Sequence, residues 1–310
     1  MPLGPTGHSV IALDVGGTVM KGIALDASGH VIGRPRWRTP REEPGLVLVA
    51  VKEAMKQLVS LAGSGVRAAG LVVPGLVSED RGVVLHARNL GWRDIRLREL
   101  VEEHIGLPVA LGHDVRSAGL AEVTLGAATG CRTVLVVPIG TGISAAVVTD
   151  GSLLTGVHVG EIGHVQTRFP EPCVCGSLGC LEAVASASAI TRRYQAAGGV
   201  AASDSYEVAK LVAAKDPIAC SVWAQAIEGL ATVLSSCAAL LAPERIVIAG
   251  GLSMAGEILL GRLRDEIRER LPAEAHPEIC ASRLGDEAGC LGAALMALSL
   301  VRAIGTPAEM

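Results

Sequence analysis

Between residues 163 and 180 the chain places one imidazole, His164, and three thiols, Cys173, Cys175 and Cys180. Four donors of this kind close a tetrahedral zinc site. Such a site has no open position for a catalytic water, so the metal reads as structural. Gly176, Ser177 and Gly179 lie between the second and third cysteines. They let the chain turn sharply and bring the last sulfur back beside the first two. A C-x-C pair suits a shared metal better than a disulfide between near neighbours. The other five cysteines, Cys131, Cys220, Cys237, Cys280 and Cys290, are scattered in Ala/Leu/Val surroundings and read as reduced core residues.

A second chemistry is written in glycines. Asp14-Val15-Gly16-Gly17-Thr18 puts a carboxylate at a strand end, followed by two residues whose amides can approach an anion without a Cβ in the way. Thr18 adds a hydroxyl and Lys21 a cation, while Asp14 can hold the magnesium of a bound nucleotide through water. Taken alone, the motif is also an ordinary hairpin turn. Gly140-Thr141-Gly142 repeats it later in the chain, and Gly250-Gly251 after an apolar strand can admit an adenine ring or form only a turn.

Asp114 is the candidate general base, able to accept a proton from a hydroxyl that attacks phosphorus. Its position between a buried strand and a helix equally suits an N-cap. Glu161 and Glu182 flank the cysteine cluster, where a metal would fix two carboxylates suited to sugar hydroxyls. Solvated surface glutamates are the plainer alternative.

These residues need elements to hold them. Strands are expected at Ser9–Leu13, Val19–Leu25 and Val31–Arg38, with the last two separated by the turn cluster Asp26-Ala27-Ser28-Gly29. Leu46–Ala62 has helical spacing and stops at Gly63-Ser64-Gly65. Strands at Ala68–Val73 and Val109–Leu111 and a helix at Val115–Leu125 follow. The pattern restarts with strands Val134–Ile139 and Ile143–Thr149 and the turn Asp150-Gly151. Two halves that each open with strand, glycine turn and strand point to a duplicated α/β fold. The remainder reads as helices Ile218–Leu241, Met254–Leu271 and Ala288–Ala303 around a strand at Arg245–Ala249, and residues 1–8 as a loose extension.

Half of the 310 residues are apolar, enough for a large core, and only 2% are aromatic, so Ala, Leu and Val must fill it. The net charge of −4 without a long basic run speaks against nucleic acid as a partner. No apolar run approaches the roughly 20 residues that span a bilayer, and the N-terminus lacks a signal-peptide pattern. A cytoplasmic protein without membrane contact is expected.

Taken together, Asp14 to Lys21, Glu161-Ile-Gly-His164 and Cys173 to Glu182 resemble the ROK family of sugar kinases and related repressors, a branch of the actin-like, hexokinase-type ATPases. The likeness spans nearly the whole chain. It implies an α/β, two-lobed actin-like ATPase (ribonuclease H-like) fold with an interlobe cleft. Residues 1–120 would form a smaller lobe, rejoined by the C-terminal helix 290–310, and residues 121–289 a larger lobe containing the zinc motif. The resemblance implies Asp114 as the base acting on a sugar hydroxyl, usually the 6-hydroxyl of a hexose. Gly75, Asn89, Glu161, His164 and Glu182 would surround the sugar, so that His164 both binds zinc and touches substrate.

For the nucleotide it implies Asp14, Gly16, Gly17, Thr18, Lys21, Gly140, Thr141, Gly142, Gly250 and Gly251. ATP, Mg2+ and structural Zn2+ are the implied cofactors, a sugar the partner, and a homodimer or homotetramer the assembly. His113 stands where the family usually has Asn, bringing a different donor and acceptor pattern to the substrate side. Arg116 replaces a second frequent Asn, and its cation either points inward toward Asp114 or outward to solvent. The function implied is a glucokinase-type hexose kinase, with N-acetylglucosamine or N-acetylmannosamine kinases and a non-catalytic sugar sensor as alternatives. A family repressor carries a helix-turn-helix ahead of Asp14, and here that stretch is short.

Overall fold

The computed structural model describes residues 7–40, 44–200 and 202–305, and the chain divides into two units, 1–121 with 155–158 and 286–310, and 122–154 with 159–285. Most of the expected loose extension, residues 1–6, lies outside the described residues. Thr155–His158 belongs to the first unit, a return excursion that the sequence boundary at 121–289 does not contain.

The first unit opens with β1 (Ser9–Val15) and β2 (Val19–Leu25), an antiparallel pair in which Asp14 lies opposite Lys21. The single strand expected at Val31–Arg38 is two short ones, β3 (Val31–Gly33) and β4 (Arg36–Arg38), both paired with β2. Pro35 between them has no amide to donate to a ladder, and its carbonyl instead accepts from Gly22 N. Helix α1 (Pro44–Ala62) returns the chain to β5 (Val66–Val73). A small antiparallel sheet absent from the sequence reading follows: β6 (Leu76–Ser78), β7 (Val83–Ala87) and β8 (Trp92–Ile95). Then come α2 (Leu97–Ile105), β9 (Val109–His113) and α3 (Asp114–Leu125).

The main sheet runs β3-β2-β1-β5-β9, with β1, β5 and β9 parallel. Alternation sorts its faces: Ile11, Leu13 and Val15 pack with Val51, Met55 and Leu58 of α1, while Ala12 and Asp14 point the other way.

The second unit repeats this walk. Its strands β10 (Val134–Pro138), β11 (Ala146–Thr149), β12 (Ser152–Leu153), β13 (Arg245–Ala249) and β14 (Glu278–Ala281) form a sheet in the order β12-β11-β10-β13-β14. As in the first unit, a hairpin is followed by two parallel neighbours. The duplication expected from the two glycine turns is therefore realised strand by strand. The β11–β12 turn has positive φ at both Asp150 and Gly151, as a two-residue hairpin demands.

Helices α4 (Leu181–Ala185), α5 (Ala187–Ala196), α6 (Ser205–Ala213), α7 (Pro217–Leu241) and α8 (Glu257–Arg270) complete the second unit. Asp216 caps α7 by accepting from Ala219 N, and Pro217 sits where a helix tolerates it. Helix α8 starts later than Met254 because Gly251–Ala255 forms a 3-10 turn ending at Gly256, whose φ is +56°.

The last helix, α9 (Ala288–Gly305), returns to the first unit and lies on β1 and β5. Gly70 makes that close approach possible, since a Cβ there would stand 1.9 Å from Ala293 O. Contrary to the reading of apolar runs, Pro217–Leu241 and Gly285–Ile304 are both long and apolar enough to cross a membrane, but half of each apolar stretch is buried inside the fold. In a core nearly without aromatics, long Ala/Leu helices supply the packing surface. The tryptophans are divided: Trp37 and Trp92 lie in the first unit, and Trp223 is fully buried in the second.

Besides the crossings on either side of 155–158, the main chain passes between the units at 121/122 and 285/286. Next to these last two crossings Glu122, 0% exposed, accepts from Ala127 N, Ser282 Oγ and Leu284 N, so one carboxylate ties the end of α3 to the strand exit after β14.

Candidate active site

In open α/β sheets ligands gather at the carboxyl ends of parallel strands. Asp14 near the end of β1, Gly75 after β5 and Asp114 after β9 occupy those ends on three adjacent strands. The turn after β1 is held from behind: Gly16 N donates to Val19 O (3.2 Å), and Thr39 binds Gly16 O through its hydroxyl (2.6 Å) and Thr18 O through its amide (2.9 Å). Thr39, buried in the fold, carried no signal in the sequence beyond its polarity. Gly16 admits no side chain, because a Cβ would lie 2.7 Å from Val19 O. A Cβ on Gly17 would meet Asn89 Cβ at 3.5 Å, so Asn89 stands directly beside the turn.

The Asp14 carboxylate packs against Gly289, whose Cβ position lies 2.7 Å from Oδ2. Burial first, and then the Asp114 charge, push Asp14 up to about 7, while Lys21 works the other way. A buried carboxylate raised by the charge of a second one is the donor set a divalent cation neutralises, so Asp14 and Asp114 fit magnesium. The Lys21 ammonium is engaged elsewhere: it donates to Asp286 O (2.7 Å) and lies 3.5 Å from that residue's carboxylate.

Asp114 is the first residue of α3, not a residue ahead of it that caps N2 or N3. Oδ1 accepts from Val115 N (2.8 Å), a contact within the first turn of α3, yet the side chain is still 31% exposed. His113 Nδ1 lies 3.4 Å from the same oxygen, with the ring buried. Arg116 points inward and is 2% exposed, but its partner is Glu79, at 2.8 Å from Nε to Oε1. Its other nitrogens donate to Gly156 O (3.1 Å) and Val77 O (3.4 Å). Glu79 also accepts from His113 N (3.2 Å), a role that nothing in Ser78-Glu79-Asp80 announces. Gly75, with φ +101°, has His86 O 2.3 Å from its Cβ position, so only glycine lets the β6–β8 sheet and Asn89 reach this edge.

In the second unit, Gly140 after β10 and Gly250 after β13 occupy the equivalent strand ends. All three carbonyls of Gly140-Thr141-Gly142 are taken by protein donors: Ala187 N (2.9 Å), Ser188 Oγ (2.8 Å) and Gly140 N (3.0 Å), respectively. Among the described residues the amides of Thr141 and Gly142 make no hydrogen bond, the arrangement that suits an anion. The strand expected from Ile143 begins only at Ala146, because residues 143–145 lean away onto a neighbouring segment. Ala145 N and Ser144 Oγ donate to Gly160 O (2.8 and 3.1 Å), and Ile143 N donates to Glu182 Oε2 (3.0 Å). Gly250 packs on Ile139 O, 2.5 Å from its Cβ position. Beside the turn lies a cavity of about 470 Å³ lined by Gly140, Thr141, Ser188, Arg192, Gln195 and Asp204.

The four expected metal ligands meet. One donor atom from each of His164, Cys173, Cys175 and Cys180 lies within 4.8 Å of all the others. The Cys175 and Cys180 sulfurs are 3.6 Å apart, and Cys173 Sγ is 3.8 Å from His164 Nδ1. Zinc bonds of about 2.3 Å to sulfur at tetrahedral angles set sulfurs about 3.8 Å apart, so the cluster fits that ion. Cys173 N donates to Ser177 O and Thr167 N to Gly179 O, closing a knuckle whose glycines 176 and 179 have positive φ. Burial pushes the Cys180 thiol up, whereas the Ser177 amide holds Cys175 well below the usual thiol range. Glu161 precedes the 3-10 turn Ile162–His164 and is half-buried, and Glu182 follows Cys180 at the start of α4.

Residues 10–299 match the family model described as the ROK family. The chain belongs to the ROK family. It is similar to the glucokinase of Halalkalibacterium halodurans, with 34% identity over 313 residues covering 91% of this chain and 92% of that one. The crystal structure of the ROK hexokinase from Thermus thermophilus is similar with a TM-score of 0.84 and 35% identity, covering 95% of this chain and 99% of that one. A ROK family glucokinase from Streptomyces griseus, solved in complex with glucose and AMPPNP, gives a TM-score of 0.79 at 27% identity, covering 94% of this chain and 99% of that one. This ROK protein thus has the actin-like ATPase fold class expected from its motifs.

Proposed function

We propose that this ROK protein is an ATP-dependent hexose kinase of glucokinase type that transfers the γ-phosphoryl group to O6 of glucose. The observation that carries the reading is the row of Asp14, Gly75 and Asp114 on three adjacent strand ends, with Asn89 against the Gly16-Gly17 turn. The reading takes the Gly16-Gly17 turn as the phosphate site, Asp114 as the base and the Asn89 amide as a hydroxyl ligand, and their sharing one edge of the sheet supports it.

Asp114 accepts the proton of the sugar hydroxyl as that oxygen attacks phosphorus, while Asn89 orients the ring. The amides of Gly17 and of Thr141-Gly142 receive phosphate oxygens, and Asp14 with Asp114 holds magnesium, which offsets phosphate charge when bound. Gly250-Gly251 and the 470 Å³ cavity beside Thr141 hold the nucleoside. Glu161, His164 and Glu182 complete the sugar contacts, and zinc at His164, Cys173, Cys175 and Cys180 fixes the segment that presents them. A cytoplasmic setting and a homodimer or homotetramer belong to the same reading.

The test is ADP release from Mg-ATP, coupled to a spectroscopic assay, across glucose, mannose, N-acetylglucosamine, N-acetylmannosamine, fructose and allose. Turnover highest with glucose is expected. Preference for an N-acetylhexosamine would reassign the substrate, and binding of sugars without turnover would make the protein a sensor.

A further inference from the structure

The second glycine turn and the metal knuckle share one side chain. Glu182 stands two residues after Cys180, and its Oε2 accepts from Ile143 N at 3.0 Å. The turn is shaped to receive that oxygen: a Cβ on Gly142 would lie 2.4 Å from it. The backbone on either side is braced by the same part of the unit. Leu181 N donates to Val165 O (2.9 Å), and Gly163 closes on Ile143 O, which lies 2.1 Å from its Cβ position. Ile143 is the first residue after the phosphate turn, and its N–H shares a peptide plane with the Gly142 carbonyl, which in turn accepts from Gly140 N, so the Glu182 contact anchors the end of the turn. A carboxylate is a strong acceptor for such an amide, and losing it leaves a part-buried N–H to find another partner.

We infer that Glu182 is a positioning residue for nucleotide binding: it holds the 140–143 turn in its phosphate-receiving form from the side occupied by the metal knuckle. One oxygen serves the turn and the other is available to a sugar hydroxyl, so a single carboxylate joins acceptor recognition to donor recognition. By linkage, a sugar that fixes Glu182 strengthens nucleotide binding, and nucleotide strengthens sugar binding by the same factor. This rests on the kinase reading above, because it takes the 140–142 turn as a phosphate site.

The experiment is calorimetric titration of the intact zinc-loaded protein with Mg-AMPPNP in the absence of sugar, for wild type, Glu182→Ala, Glu182→Gln, Gly142→Ala and the double variant Gly142→Ala/Glu182→Ala. Glu182→Ala should weaken nucleotide binding about tenfold, the scale of one charge-assisted hydrogen bond. Glu182→Gln, which keeps an acceptor for Ile143 N, should restore it while raising the KM for sugar. Gly142→Ala should weaken nucleotide binding by displacing the same oxygen. Since both changes break one contact, the double variant should be no weaker than the worse single variant. Unchanged nucleotide affinity in Glu182→Ala with normal zinc content, or losses that multiply in the double variant, would overturn the inference. Wild-type protein that binds no nucleotide would instead sink the kinase reading, and this one with it.

Discussion

Glu79 Oε1 accepts from Arg116 Nε at 2.8 Å and from the His113 amide at 3.2 Å, so one oxygen holds a residue on each side of Asp114. The guanidinium is 2% exposed. Removing the carboxylate would leave a buried cation without its counter-ion, which costs about 3–5 kcal/mol. Glu79→Ala should lose stability on that scale in urea denaturation and lose turnover as well. Glu79→Gln keeps an acceptor and should lose less. Equal stability of Glu79→Ala and wild type would show that the pair holds nothing.

Asp114→Asn keeps the contact to Val115 N and removes the base. Turnover should fall by about 10²- to 10⁴-fold, the usual worth of general base catalysis. Glucose binding by calorimetry should persist. Full activity in this variant would remove Asp114 from the mechanism.

The sequence made some of this legible and hid the rest for a physical reason. Cys173, Cys175 and Cys180 lie close along the chain, so their spacing alone foretold a shared centre. Gly16-Gly17, Gly140 and Gly250 follow apolar strands and mark strand ends locally. Glu79 and Arg116 are 37 positions apart and Glu182 and Ile143 are 39 apart. Neither pair has any pattern in the chain, because the fold alone brings the partners together. The β6–β8 sheet was missed because its strands are only three to five residues long, too short for alternation to show. The inward turn of Arg116 was one of two open outcomes, and a buried carboxylate that no motif predicts decided it.

The thiolate cluster predicts metal content. Purified protein should carry about one zinc per chain, the stoichiometry of a four-ligand site. Cys180→Ser should abolish retention and lower the melting temperature, since that sulfur is buried at the start of α4. Metal-free protein with unchanged melting and activity would refute the assignment.

Asp14 sets a pH dependence. Its ionisation is raised from 3.8 to about 7, chiefly by burial and then by Asp114. Between these values the folded chain keeps a proton that the unfolded chain has released. The stabilising contribution is therefore whole below about pH 4 and is lost as pH rises toward 7. Each tenfold separation of the two ionisation constants is worth about 1.4 kcal/mol. Nucleotide-free wild type should lose stability relative to Asp14→Asn from pH 4 to 7 and then run parallel to it. Parallel curves throughout would show that Asp14 ionises normally.

The division of indoles gives each half of the molecule its own optical reporter. Trp37 and Trp92 sit in the first unit, and Trp223 is sealed into the second, with Nε1 donating to Ile258 O at 3.2 Å. With Trp37 and Trp92 replaced by phenylalanine, all tryptophan emission arises from α7. Fluorescence melting of that variant records the second unit alone, and the complementary Trp223→Phe variant records the first. Comparing the two curves tells whether the duplicated halves unfold as one cooperative block or in succession.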